Sequence, residues 1–162
     1  MAIICSLWDR IENISGSNTA FNTHGDEGID EVSFSELKEK SKKVAHFLTN
    51  RIIGAEAEKQ RVGILVRNSA EGVMMILGAY LAGMTSVILD IDKTPINRIE
   101  MIFKDANVHT VLVLEREDDV VGSLSDDFSI YTWMEALHED VIEGNLICRH
   151  NEDHPFSIYY TR

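Results

Sequence analysis

Basic residues are scarce in this sequence: 15 Lys and Arg stand against 27 Asp and Glu, a net charge of −12 over 162 residues. No segment concentrates them, so binding to nucleic acid or an anionic membrane through phosphate neutralisation is not expected. The acidity reads as a solvated, solubilising surface. Cysteine is also scarce. Cys5 and Cys148 form no pair pattern, and nothing marks an oxidising compartment. The opening "MAIICSLWDRIE" has a short apolar run but lacks a basic n-region and a small-residue cleavage site. It is not read as a signal peptide, and a cytoplasmic location is the default expectation. The phosphate and nucleophile motifs G-x-x-x-x-G-K-S/T, G-x-G-x-x-G and G-x-S-x-G are absent. "SGSN" at 15–18 has one glycine and precedes a strand, so it is a turn and not a phosphate cradle. Internal repeats and low-complexity tracts are lacking too.

What is present fits a soluble globular chain, with 44% hydrophobic and 26% charged residues. The length suits one domain able to bury about two-thirds of the surface its unfolded form exposes. The one long uncharged run, "GVMMILGAYLAGMTSVIL" at 72–89, reaches the lower edge of membrane-span length. Its punctuation favours a different reading. Asn68 or Ser69 can cap a helix start, Gly83 is placed to end the helix, and "TSVILD" continues as a buried strand.

Along the chain, "SLWDRIENI" (6–14) reads as a short amphipathic helix. Segments 18–24 and 31–34 flank the turn-rich "GDEGID" and predict a hairpin. Ser33 and Glu36 make a capping box opening a helix whose apolar face is Leu37, Val44, Phe47 or Leu48, and Ile52. After a polar link, "RVGILV" (61–66) is a β-branched run, followed by a helix over 69–82 and a strand over 84–89. Pro95 opens a further helix carrying Ile99, Ile102 and Phe103 on one face, and "VHTVLVL" (108–114) is the next strand. Strand alternating with helix at this spacing predicts an α/β fold, a mainly parallel sheet flanked by helices with an N-terminal hairpin. The acidic stretch 115–127 reads as a solvated loop and "FSIYTWMEAL" as a short strand with a helical turn. "RHNEDH" is a polar linker, and 156–160 is a last strand introduced by Pro155.

Side chains able to carry chemistry are few. Cys148, His150, Asp153 and His154 can be sketched as a metal site, but their spacing matches no standard zinc pattern and Pro155 disrupts a helical arrangement. A polar linker is the expected role. His46 and His109 sit in helix and strand contexts that favour structural histidines. Asp90 and Asp92 follow a strand, at the carboxyl end where α/β folds place ligands, yet ordinary loop carboxylates also fit there.

Taken in order, several stretches resemble the N-terminal part of the adenylate-forming (AMP-binding) superfamily, and most of all the adenylation domains of nonribosomal peptide synthetases. "VSFSELKEKSKKVAHFL" is similar to the family's "L-T-Y-x-E-L" segment and following helix. Leu81-Ala82-Gly83, Leu89-Asp90, Pro95, Arg98 and Asp105-Ala106 occupy the family's "L-x-A-G", "L-D", "P-x-x-R-I" and "D-A" places in order. Leu81 stands where the family usually has lysine, Ser86 and Ile88 replace an aromatic and a proline, and Thr94 replaces another aromatic. These departures bear on the amino-acid-specific subtype more than on the superfamily. Acyl-CoA synthetases share the architecture.

The resemblance implies a single incomplete N-terminal subdomain over 1–162, with its core at 61–114 and a tail, 115–162, leading toward the phosphate loop. "FSIYYT" resembles the strand that runs into the family's T-S-G-S/T-T-G-x-P-K-G loop. Thr161 matches that loop's first threonine, the one cofactor-binding position implied, and Arg162 stands where serine is usual. The complete enzyme would use ATP and Mg²⁺ to activate a carboxylic acid for transfer to a carrier thiol. This chain alone is expected to bind neither, to supply no catalytic residue and to be inactive. The implied partner is the remainder of an adenylation domain or synthetase, in the same or a separate chain, with self-association through bare strand edges. The competing expectation is a truncated, non-catalytic docking module, which an encoded stop after Arg162 would favour.

Overall fold

The computed structural model describes residues 5–25, 28–51, 60–115, 119–124, 126–140 and 155–160. The chain opens with α1 (Cys5–Asn13), followed by the antiparallel hairpin of β1 (Thr19–Gly25) and β2 (Gly28–Ser33), which form a sheet of their own. β2 starts inside the stretch expected to be turn. α2 (Phe34–Arg51) starts where Ser33 Oγ accepts from the Glu36 amide at 3.2 Å, the first half of the expected capping box.

β3 (Arg61–Val66), α3 (Ala70–Leu81), β4 (Thr85–Asp90), α4 (Ile96–Asp105) and β5 (Thr110–Val113) then alternate as predicted. A helical turn α5 (Asp119–Gly122), β6 (Ser129–Thr132), α6 (Trp133–Leu137) and the two-residue β7 (Ser157–Ile158) complete the elements. The sheet runs β6-β5-β3-β4-β7, and every pairing in it is parallel. This confirms the α/β fold class.

The run 72–89 divides at Gly83. Ser69 Oγ caps α3 by accepting from Gly72 N at 3.2 Å. At the other end Gly83 has φ 77°, with Gly83 N donating to Tyr80 O and Met84 N to Ala79 O. That is a Schellman stop, and it needs a residue free to enter the left-handed region. No helix among the described residues is long and apolar enough to cross a membrane.

Alternation along β3 sends Val62 and Ile64 toward α2 and α3, into a core with Val44, Phe47, Met75 and Tyr80. Leu65 goes to the opposite face, where it joins Val87, Ile99, Phe103 and Val111 under α4. Both faces are covered, which is why β3 reads as a continuous apolar run rather than an alternating one.

The tail departs from expectation in two places. The stretch 115–127 is not wholly solvated: Val121 and Leu124 are buried in the α4-side core, so α5 covers that end of the sheet. The last strand is shorter than 156–160, since pairing with β4 covers only Ser157 and Ile158.

Candidate functional site

In a parallel sheet the loops leaving the carboxyl ends of the strands share one edge, and ligands settle where successive connections diverge to opposite faces. Here β3 connects toward β4 and β5 toward β6, so that divergence lies between β3 and β5. The edge is built from Arg67, Asn68 and Ser69 after β3, residues 91–95 after β4, Leu114 and Glu115 after β5, and Thr132 at the start of α6.

Ion pairs occupy this edge. Arg67 Nε donates to both carboxylate oxygens of Asp92 at 3.1 Å, and Lys93 Nζ meets Asp90 Oδ2 at 2.5 Å. Asp90 Oδ1 also accepts from the Asp92 amide at 3.0 Å, which folds the β4–α4 loop back on itself. The Lys93 ammonium, followed by the Asp92 amide, holds the Asp90 carboxyl below its ordinary range against the opposing effect of burial. The two aspartates singled out from the sequence are therefore brought together, but as organisers of a loop that accept from side chains of the same edge.

The helix starts at this edge are largely occupied from within. α3 is capped by Ser69, and α6 by a complete capping box in which Thr132 and Glu135 exchange hydrogen bonds. α4 differs: Pro95 is its N-cap residue, and no side chain caps it. Among the described residues no group of three or more His, Cys, Asp or Glu could hold a metal ion. Of the cations at this edge, Arg67 is engaged with Asp92 and Lys93 with Asp90.

Thr161 and the set Cys148, His150, Asp153 and His154 lie outside the described residues. His46 is buried in α2, with its Nε2 unpartnered; burial lowers its pKa and the Glu139 carboxylate partly opposes this. His109 is exposed just ahead of β5, where its carbonyl accepts from Ser129 N. A groove of about 460 Å³ lies away from the edge, along α2, where Lys38, Lys42 and Lys43 face Glu39, Glu139 and Asp140. Lys38 already donates to the carbonyls of Glu12 and Ile14, Lys42 pairs with Glu12 and Lys43 with Glu39. Three cations and three carboxylates line the groove, so its charges are balanced.

Sequence reasoning missed one junction. Tyr160 Oη donates to Asp105 Oδ2 at 2.6 Å, and Arg61 Nη1 donates to the adjacent Ala106 carbonyl at 2.7 Å. A carboxylate in the last turn of a helix, where the dipole disfavours it, was the available signal.

Against known proteins, the family model described as "AMP-binding enzyme" matches residues 12–161. Nonribosomal peptide synthetase 32 of Fusarium pseudograminearum is 33% identical over 102 residues, covering 63% of this chain and 1% of that protein. Nonribosomal peptide synthetase gloA of Glarea lozoyensis is 27% identical over 107 residues, covering 66% and 1%. The chain therefore spans about 1% of the length of these relatives. Among solved structures, the nonribosomal peptide synthetase FmoA3 in its AMPPNP-bound form superposes with a TM-score of 0.77 at 17% identity, over 98% of this chain and 16% of that one. The O-succinylbenzoate coenzyme A synthetase MenE of Bacillus subtilis, in complex with AMP, gives 0.75 at 18%, over 99% and 39%.

Proposed function

This chain belongs to the AMP-binding enzyme family, and on that premise we propose that it is the N-terminal part of an adenylating enzyme of the nonribosomal peptide synthetase kind. The reaction of the whole enzyme would join a carboxylate to ATP, giving an acyl-adenylate and pyrophosphate, and then pass the acyl group to a carrier thiol. What carries the reading is a family match that runs through residue 161 and so includes β7, the strand before the implied phosphate loop. The choice of subtype rests on sequence. A CoA synthetase and a peptide synthetase superpose almost equally well, so backbone shape does not separate them. The 33% identity to a peptide synthetase favours that branch.

In this proposal the described residues are scaffold. Adenylation gathers negative charge at the reacting phosphate, and positioned donors, cations and metal usually supply the dominant stabilisation. At the carboxyl edge Arg67 and Lys93 are engaged with Asp92 and Asp90, so that work falls to the segment beginning at Thr161 and to the remainder of the adenylation unit, the expected partner. ATP and Mg²⁺ belong to the assembled enzyme.

The test is ATP–pyrophosphate exchange with a panel of amino and fatty acids, run on the 162-residue chain alone and with the remaining adenylation unit supplied. The chain alone should be silent, and the pair should exchange with a restricted set of acids. Exchange by the chain alone would overturn the division of labour. Silence of a pair that demonstrably associates would overturn the adenylating reading in favour of a docking role.

A further inference from the structure

The chain is held to β4 by a compact set of bonds around β7. Thr85 Oγ1 donates to Pro155 O at 2.7 Å, Ser86 N and Oγ both reach Phe156 O, and Ser157 Oγ donates to Ser86 O at 3.1 Å. These ties end with the ladder, which stops at Ile158. The two tyrosines that follow behave differently. Tyr159 is 72% exposed, whereas Tyr160 is half as exposed and reaches across 55 residues of sequence to Asp105.

Local helix physics does not explain Asp105. It is the last residue of α4, where the dipole favours a cation, as Lys104 beside it provides. The α4 stop is made by its neighbours: Asn107 takes φ 54°, Val108 N donates to Phe103 O and Asn107 N to Lys104 O. A carboxylate that the helix does not need there is compensated by tertiary partners. Tyr160 supplies a hydroxyl at the short distance expected for an O–H donor to a carboxylate. Arg61, at the start of β3, holds the neighbouring Ala106 carbonyl at 2.7 Å and places a cation nearby.

We propose that Tyr160 and Asp105 form a positioning contact that sets where the chain leaves the sheet after β7, and so where the segment beginning at Thr161 starts. The inference rests on the adenylating reading only in giving that segment a phosphate to meet. The contact joins Asp105 of α4 to Tyr160 at the exit of β7, and Arg61 of β3 ties the adjacent Ala106 carbonyl. Because Asp105 accepts a hydrogen bond from the Tyr160 hydroxyl, with burial adding to the effect, the phenol is held above its ordinary ionisation range.

The test uses Tyr160→Phe, which keeps the ring, and Asp105→Asn, which keeps the shape, in the 162-residue chain. Hydrogen–deuterium exchange over residues 156–160 should accelerate about fivefold in each single variant, the range of one partly exposed hydrogen bond, while β3 and α3 exchange as in the parent. The double variant should add nothing further, because both singles remove the same bond. Tyrosinate absorbance supplies a signature that general loosening would not give. Among the four tyrosines Tyr80 is fully buried, so the Tyr160 step is read as the difference between the parent and Tyr160→Phe titrations; it should be late in the parent and earlier in Asp105→Asn. Parent-like exchange in both variants, or a Tyr160 step that ionises in Asp105→Asn as it does in the parent, would overturn the contact. Neither readout involves nucleotide, so they stand apart from the pyrophosphate-exchange test. Failure there leaves the contact intact but removes its phosphate-facing purpose.

Discussion

Gly83 and Asn107 do the same work at the ends of successive helices, with φ 77° and 54°. Only the first was legible, because glycine after an apolar run is a distinctive stop while asparagine in "DANV" also fits a turn, a cap or a surface position. Gly83→Ala is expected to cost about 1–2 kcal/mol, the penalty of a Cβ in the left-handed region, read as a lower urea midpoint at unchanged slope. His46 was read as structural, and its burial with an unpartnered Nε2 gives that role a pH signature. Its folded pKa lies below the ordinary value near 6.5, so the folded state binds fewer protons. The stability involved is present above pH 6.5 and is lost as pH falls through the folded pKa, moderated by the Glu139 carboxylate. His46→Leu should flatten the fall in urea midpoint between neutral and mildly acidic pH; an unchanged fall would mean that other groups titrate there. Thr161 and the Cys148–His154 set fall outside the described residues, and their reading stays with the sequence.

For α2 the sequence offered Phe47 or Leu48 as the inward residue, and the structure buries both completely. Helical periodicity assumes one contact face, whereas α2 is covered on two sides. It packs against α3, while the Phe47 ring meets Tyr131 of β6 edge-on at 5.1 Å. The α2–α3 seam is set by Gly78, where an added Cβ would lie 2.5 Å from the Val44 side chain and 2.9 Å from the Ser41 carbonyl. Two effects oppose each other in Gly78→Ala. Helix propensity gains about 1 kcal/mol, and overpacking a seam with backbone on one side costs about 1–3 kcal/mol. The backbone cannot swing aside as a side-chain tip can, so net destabilisation is expected in thermal or urea unfolding. A more stable variant would show that the helices can separate by a few tenths of an ångström. Ion pairs at the carboxyl edge work on a smaller scale: Arg67 and Asp92 are about half exposed, so Asp92→Ala should shift stability by less than about 1 kcal/mol.

Over the whole molecule, β6 and β7 are the outer strands of the five-stranded sheet, and each is paired on one side among the described residues. Open edges invite pairing with another chain, so concentration-dependent association is expected by light scattering. Both edges are short, four residues and two. A monomer at every concentration would show that this brevity guards them well enough. The sequence by itself determined the strand–helix alternation, the break at Gly83, the hairpin and the family, because periods of 2 and 3.6, stop residues and ordered motifs are local properties of the chain. Tertiary structure alone decided the strand order β6-β5-β3-β4-β7, the burial of Val121 and Leu124 within an acidic stretch, and the truncation of the last strand to two residues. It also decided that Asp92 would be met by Arg67, and that Tyr160 would find Asp105. Each of these depends on groups far apart in sequence, or on which neighbour covers a segment, and a local pattern carries no record of distance through space.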